Sequence, residues 1–192
     1  MTTKVTHLYD DYVQAQHAVR DLEAAGFAAG DVSIVSRYRD NGELVDDASG
    51  AATGASVGAL AGAGTGLLTA LGVIAIPGLG PLVAAGILAT TLAGTAAGAA
   101  AGGLLGALTD YGVSEEDAHV YAEGVRRGGT LVTVQAPDDR AGLVRDILNR
   151  HDPVDIPTRR RSYTEEGWQA YDPSAAGYTN DQVRAERDRY RR

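Results

Sequence analysis

The apolar positions follow a period of two, then one close to 3.6, and then neither. "KVTHLY" (4–9) has the β-branched and aromatic character of a strand. In "DDYVQAQHAVRDLEAAGF", Ala15, Ala18, Val19 and Leu22 fall at i, i+3, i+4 and i+7, which predicts a helix with one apolar face. Asp10 or Asp11 supplies its N-cap and Gly26 its C′ residue. "DVSIVSR" (31–37) predicts a second strand, completing a β-α-β unit.

The same order returns near the other end. Ser114 caps a predicted helix, with Asp117 three residues on in a variant capping box. Acids occupy its first turn and Arg126 and Arg127 its last, as the helix dipole favours. Gly128 and Gly129 end it, and Ala118, Tyr121, Ala122 and Val125 form its buried stripe. "TLVTVQAP" (130–137) predicts a strand, "DDRAGLVRDILNRH" a helix, and "PVDI" (153–156) a short last strand. Val19-Arg20-Asp21-Leu22 matches Val144-Arg145-Asp146-Ile147, each behind a strand and an Asp-rich cap. The predicted class is α+β, a ferredoxin-like duplicated β-α-β sandwich. A small parallel α/β sheet is the runner-up, because strands and helices alternate.

Between the halves, residues 48–109 contain no charged residue, and they hold 19 Ala, 15 Gly and 11 Leu. Glycine recurs at every fourth position in Gly50, Gly54, Gly58, Gly62 and Gly66, and again in Gly94, Gly98, Gly102 and Gly106. Each glycine inside a helix costs about 1 kcal/mol relative to alanine. Such a ladder is offset where the missing side chains let helix backbones approach closely. Pro77, Gly78, Gly80 and Pro81 predict a tight turn between helical arms at about 50–75 and 82–109. At 1.5 Å per residue each arm reaches about the 30 Å of a bilayer core. The acidic flanks, the nine Ser or Thr and the absence of Lys or Arg at the ends favour a water-soluble bundle, while 62 residues without a charge, unusual for a helix pair with a solvated face, favour the membrane. The chain thus divides into 1–47 (first half-domain), 48–110 (helical hairpin insertion), 111–157 (second half-domain, α-β-α-β) and 158–192 (polar tail).

"IPGLGPLVAAG" (76–86), "AAGAAAGGLLGAL" (96–108) and "GVSEEDAHVYAEGVRRGGTLVTVQA" (112–136), together with the opening strand and the helix ending in "AAGF", resemble the bacterial general stress protein 17M-like family. "YAEGVRRGGTLVTV" (121–134) is the most specific part, and the tail lies outside the resemblance. The resemblance implies a stress-related role and the domain plan above. It carries no enzymatic activity and no catalytic residue over to this chain.

Charge and composition narrow the chemistry. Residues 1–158 carry 9 basic and 19 acidic side chains, and residues 159–192 carry 8 and 6, within a formal net charge of −8. An acidic body repels nucleic acid, so none is expected as a partner. Without cysteine there is no disulfide, thiolate metal site or thiol nucleophile. The N-terminus has no apolar signal segment, which predicts a cytoplasmic or cytoplasmic-membrane-associated protein that is not secreted. There is no G-x-G-x-x-G, Walker A or G-x-S-x-G motif, and His7, His17, His119 and His151 lack metal-ligand spacing. No enzyme, cofactor or metal is expected. "VRRGG" (125–129) is the most distinctive polar motif: Arg126 and Arg127 are candidates for a partner or anion contact, or a helix end satisfied by its own cations. Trp168 and the tail tyrosines suggest a segment that docks on its own core, a neighbouring copy or another protein, and 181–192 suggests a short charged helix. The functional expectation is a non-enzymatic general stress-response protein whose glycine-zipper hairpin drives membrane association or homo-oligomerisation. The alternative is a ligand-binding regulatory module in which the hairpin serves only soluble assembly.

Overall fold

The computed structural model describes residues 1–37, 72–76, 79–94 and 103–191. β1 (Thr2–Tyr9), α1 (Tyr12–Ala24) and β2 (Val32–Ser36) form the first unit. β3 (Gly72–Ile76) and β4 (Gly80–Ala85) follow, then α2 (Ile87–Gly94) and α3 (Gly103–Asp110). The second unit runs α4 (Glu115–Arg126), β5 (Thr130–Pro137), a 3-10 turn (Asp138–Arg140) and α5 (Ala141–Asn149). The tail adds α6 (Ile156–Glu165) and α7 (Asn180–Tyr190).

The fold is mixed helix and antiparallel sheet. The strand order is β1-β5-β2-β4-β3. β5 runs antiparallel to both β1 (Thr2↔Pro137 to Tyr9↔Thr130) and β2 (Val32↔Val134 to Ser36↔Thr130). β1 and β2 are therefore parallel to each other with β5 inserted between them, a split β-α-β. Every described residue of β2 is buried, as the sheet interior requires. Polar groups on the strands pair: half-buried Thr6 and buried Thr133 share a hydroxyl hydrogen bond at 3.0 Å, and buried Ser36 and Thr130 one at 2.9 Å.

Alternation along the strands divides the core between two faces. Val5, Tyr9, Ile34, Val132 and Val134 pack under α1 and α5, against Ala15, Ala18, Val19, Leu22, Val144, Ile147 and Leu148. Leu8, Val35, Leu131, Leu82 and Ala84 face α2, α3, α4 and α6. Caps fix the helix starts: Asp11 accepts from Val13 N at 3.0 Å, Ser114 from Asp117 N at 3.2 Å, and Asp155 from Thr158 N at 2.9 Å.

Two expectations are corrected here. Residues 153–156 form no strand. Val154 N donates to Leu8 O at 2.7 Å, a single bond on the outer edge of β1. Pro153 has no N–H to give, and Asp155 with Pro157 starts α6 at once. Nor are 72–76 and 82–85 helical, although 87–94 and 103–109 of the expected second arm are. Val73, Ile74 and Ile76 are β-branched, and β3 pairs with β4 from Gly72↔Ala84 to Ile76↔Gly80. Gly80 and Pro81, expected in a turn between helices, lie inside β4. β4 in turn adds to β2 through Ile34↔Ala85, Val35↔Ala84 and Ser36↔Val83. Of the glycine ladders, Gly94 ends α2 and Gly106 lies in α3. A Cβ on Gly106 would meet no heavy atom within 4 Å, so no described backbone packs closely there. Gly50, Gly54, Gly58, Gly62, Gly66, Gly98, Gly102, Pro77 and Gly78 lie outside the described residues.

Gly86 turns the chain from β4 into α2 with φ +83, and a Cβ there would lie 2.0 Å from Val32 O. The clash is with strand backbone, which cannot swing aside. Gly86→Ala is expected to destabilise the fold by about 2–3 kcal/mol, read from chemical denaturation; an unchanged midpoint would contradict this packing of β4 on β2.

Candidate functional site

The most concentrated polar chemistry lies at the C-terminal end of α4. Glu123, Arg126 and Arg127 stand at i, i+3 and i+4, so all three meet on one helix face. Glu123 is 1% exposed and Arg127 6%. Arg127 Nε donates to Glu123 Oε1 at 2.6 Å, and Arg126 Nε donates to Glu123 Oε2 at 2.8 Å. Both carboxylate oxygens are thereby engaged, the condition under which a buried charge is tolerated.

The rest of Arg127 reaches into the tail. Its Nη1 donates to Glu166 Oε2 at 2.7 Å and to Glu186 Oε1 at 3.0 Å. Its guanidinium lies 3.9 Å from the centre of the Tyr163 ring, a stacking that arginine's flat, weakly hydrated head favours. Arg126 Nη1 donates to Ala176 O at 2.8 Å, and Arg126 O accepts from Tyr178 N at 3.1 Å. Arg37, at the end of β2, donates from Nη1 to Arg126 O at 3.0 Å and to Tyr178 O at 2.8 Å. Gly177 lets that guanidinium lie against the tail backbone, since a Cβ there would fall 2.4 Å from Arg37 Cζ.

The tail closes on itself and on the core at further points. Arg189 pairs with Glu166, and Arg160 pairs with Glu116 and with Asp117. Arg159, 6% exposed, forks onto Asp10 at 2.8 and 2.6 Å and stacks 3.6 Å from the Tyr190 ring centre. Trp168 packs edge-on to Tyr163 at 5.6 Å and lies partly buried against the core. Tyr163 and Tyr171 belong to that core. Residues 158–191, set apart by their polar composition, thus contribute most of α6 and buried aromatics to the folded domain.

Burial alone would raise the pKa of Glu123. The hydrogen bonds and charges of Arg126 and Arg127 outweigh it and hold the carboxyl below the ordinary glutamate value. Tyr163, buried, is pushed well above the usual phenol range. Neither group is poised near neutrality for proton transfer. Between the start of α1 and the tail lies a cleft of ≈ 420 Å³, lined by Asp10, Asp11, Asp152, Arg159 and Tyr190 among others. Among the described residues no group of three His, Cys, Asp or Glu side chains is arranged to hold a metal ion.

The two arginines singled out in the sequence are brought together, and Trp168 lies behind them through Tyr163. Arg37, Glu123, Glu166 and Glu186 were not singled out. Glu123 was accessible, because E-x-x-R-R places carboxylate and guanidinium on one helix face. Glu166, Glu186 and Arg37 come from distant parts of the chain, and no local pattern joins them.

Arg127→Ala is expected to cost about 3–5 kcal/mol, because Glu123 would lose a partner while still buried; a loss below 1 kcal/mol in urea melts would contradict the assignment. Glu123 has a lower pKa folded than unfolded. Its contribution is therefore fully present above the unfolded value of about 4.3 and is lost as pH falls through the folded value. The melting temperature of the native chain is expected to drop over that acid window, and that of Glu123→Gln to drop less steeply, as followed by circular dichroism.

No curated protein and no solved structure matches this chain. A family model described as the heat induced stress protein YflT domain matches residues 4–72, which takes in β1, α1 and β2 and ends at the start of β3. The stretches at 76–136 that carry much of the resemblance lie beyond that span. Over that N-terminal part, less than half of its length, the chain is similar to a stress-protein domain.

Proposed function

We propose that this protein serves the stress response by assembly rather than by catalysis. The observation that carries the reading is how its buried charge is used. Arg37, Arg126, Arg127 and Arg159 all donate to the protein's own carbonyls and carboxylates, holding tail to core. That arrangement suits a rigid platform. The glycine ladder Gly50 to Gly66 is read as the assembly element, bringing helices of two copies close together or holding the protein at a membrane. Among the described residues no helix is long and apolar enough to cross a membrane. The second arm, moreover, gives Leu82 and Ala84 to the sheet core. Copy-to-copy assembly is therefore the preferred form of the reading. The split β-α-β also supports a ferredoxin-like plan in which Val154 N→Leu8 O stands where a fourth strand would pair.

A second reading, ligand sensing, is favoured by one observation. The ≈ 420 Å³ cleft falls within the size range of small-molecule sites and is walled by both charges, which suits a zwitterionic metabolite.

Carbonate washing and detergent extraction of cell fractions separate peripheral, integral and soluble forms. The protein is expected in the soluble or carbonate-released fraction, as an oligomer by light scattering. Gly58→Leu with Gly62→Leu is expected to reduce its size with circular dichroism unchanged, and an unchanged size would remove the ladder from assembly. A metabolite that raises the melting temperature of the native chain, and not of Arg159→Ala, would favour sensing instead.

A further inference from the structure

The ≈ 420 Å³ cleft is lined by both the core and the end of the tail. At its base one ion pair is already closed. Arg159, 6% exposed, forks onto Asp10 at 2.8 and 2.6 Å and lies 3.6 Å from the centre of the Tyr190 ring. Those two charges offset each other, so the remaining side chains set the character of the cleft. They divide by sign. Asp11 at the start of α1, with Asp152 and Asp155 in the connection from α5 to α6, brings three carboxylates from the core. Arg187 and Arg191, one turn apart at the end of α7, bring two guanidiniums from the tail.

Capping engages one oxygen on two of the acids. Asp11 Oδ1 accepts from Val13 N at 3.0 Å, and Asp155 Oδ1 from Thr158 N at 2.9 Å. Asp152 is exposed and takes φ 50. Arg191 meets Asp188 of its own helix at 3.5 Å, an exposed pair that contributes little. A simple anion in this cleft is repelled by the acids, and a simple cation by the arginines. A molecule that carries both charges, set apart, is attracted at each end.

The helix is also held by contacts outside the cleft. Val183 packs on Gly128, Glu186 accepts from Arg127 Nη1 at 3.0 Å, and Arg189 pairs with Glu166. A ligand that touches both acids and arginines adds a bridge at the last turn of α7. It binds the docked helix better than a displaced one, and by linkage it holds the helix docked to the same extent.

We propose that the cleft takes a small zwitterion, its ammonium on Asp11 and Asp152 and its carboxylate on Arg187 and Arg191, and that binding fastens the end of α7 to the core. This rests on the ligand-sensing reading and adds to it what the ligand does. The chemistry is shared by an ω-amino acid and a short peptide.

The probes are δ-aminovalerate and triglycine, with valerate and pentylammonium as singly charged controls. Binding to the full-length chain is measured by calorimetry, and the amides of 186–190 by hydrogen exchange. Either zwitterion is expected to bind more tightly than both controls, and the tighter of the two tells an amino acid from a peptide. At about ten times its dissociation constant it is expected to slow those amides about tenfold. Asp152→Asn keeps the backbone, because asparagine adopts positive φ as aspartate does, and is expected to weaken binding about fivefold. Arg191→Gln is expected to do the same from the other side. Binding that leaves the α7 amides unchanged overturns the fastening and leaves sensing in place. Zwitterions that bind no better than the controls, or equally well to both variants, overturn the site and the sensing reading together.

Discussion

The guanidinium of Arg127 is the point on which three parts of the molecule converge. It is removed from solvent, and so is its nearest carboxylate, Glu123. Two charges in such a place are tolerated only when their hydrogen-bonding capacity is met. Glu123 meets part of it from within α4. Glu166 and Glu186 meet the rest from the two sides of the tail, and Tyr163 covers the flat face. The tail is therefore required by the core, because without it a buried arginine would keep one partner where it has three.

The same logic explains why a polar tail folds. Its mean composition is that of a solvated segment, yet Tyr163 is fully buried and Tyr171 nearly so. Gly177 and Gly128 are small where an arginine and a valine must pass. A segment of low hydrophobicity can be held if a few aromatics are buried and its charges find fixed partners. The consequence is a domain in which the tail is tied to the core and the buried arginines donate to the protein's own carbonyls and carboxylates.

Much of the α+β domain was legible in the sequence because local signals agreed there. Asp11 and Ser114 cap the helices as their positions implied, Gly26 and Gly128 take positive φ at helix ends, and the apolar stripes of α1 and α4 are buried. Where signals competed, the reading failed. "VIAI" and "PLVAA" sit in an Ala- and Gly-rich run that suggests helix, but a sheet edge at β2 was waiting to be paired, and tertiary pairing outweighed composition. "PVDI" reads as strand by its residues, but two prolines and a cap leave a single N–H to bond with β1. Of the candidate site, Arg126 and Arg127 were visible as a motif. Their partners were not, because Glu166 and Glu186 lie 39 and 59 residues away in sequence from Arg127.

Residues 156–191 belong to the folded domain, and Arg127 is the residue that ties them to it. Hydrogen exchange of the full-length native chain, resolved by peptide, tests it most directly. The amides of α6 and of the Tyr163–Tyr171 segment are predicted to exchange as slowly as those of α4, with α7 protected above the level of an isolated peptide. In Arg127→Ala the protection of α6 and α7 is predicted to fall together. Tail amides that exchange at the rate of a free peptide in the native chain would contradict the account.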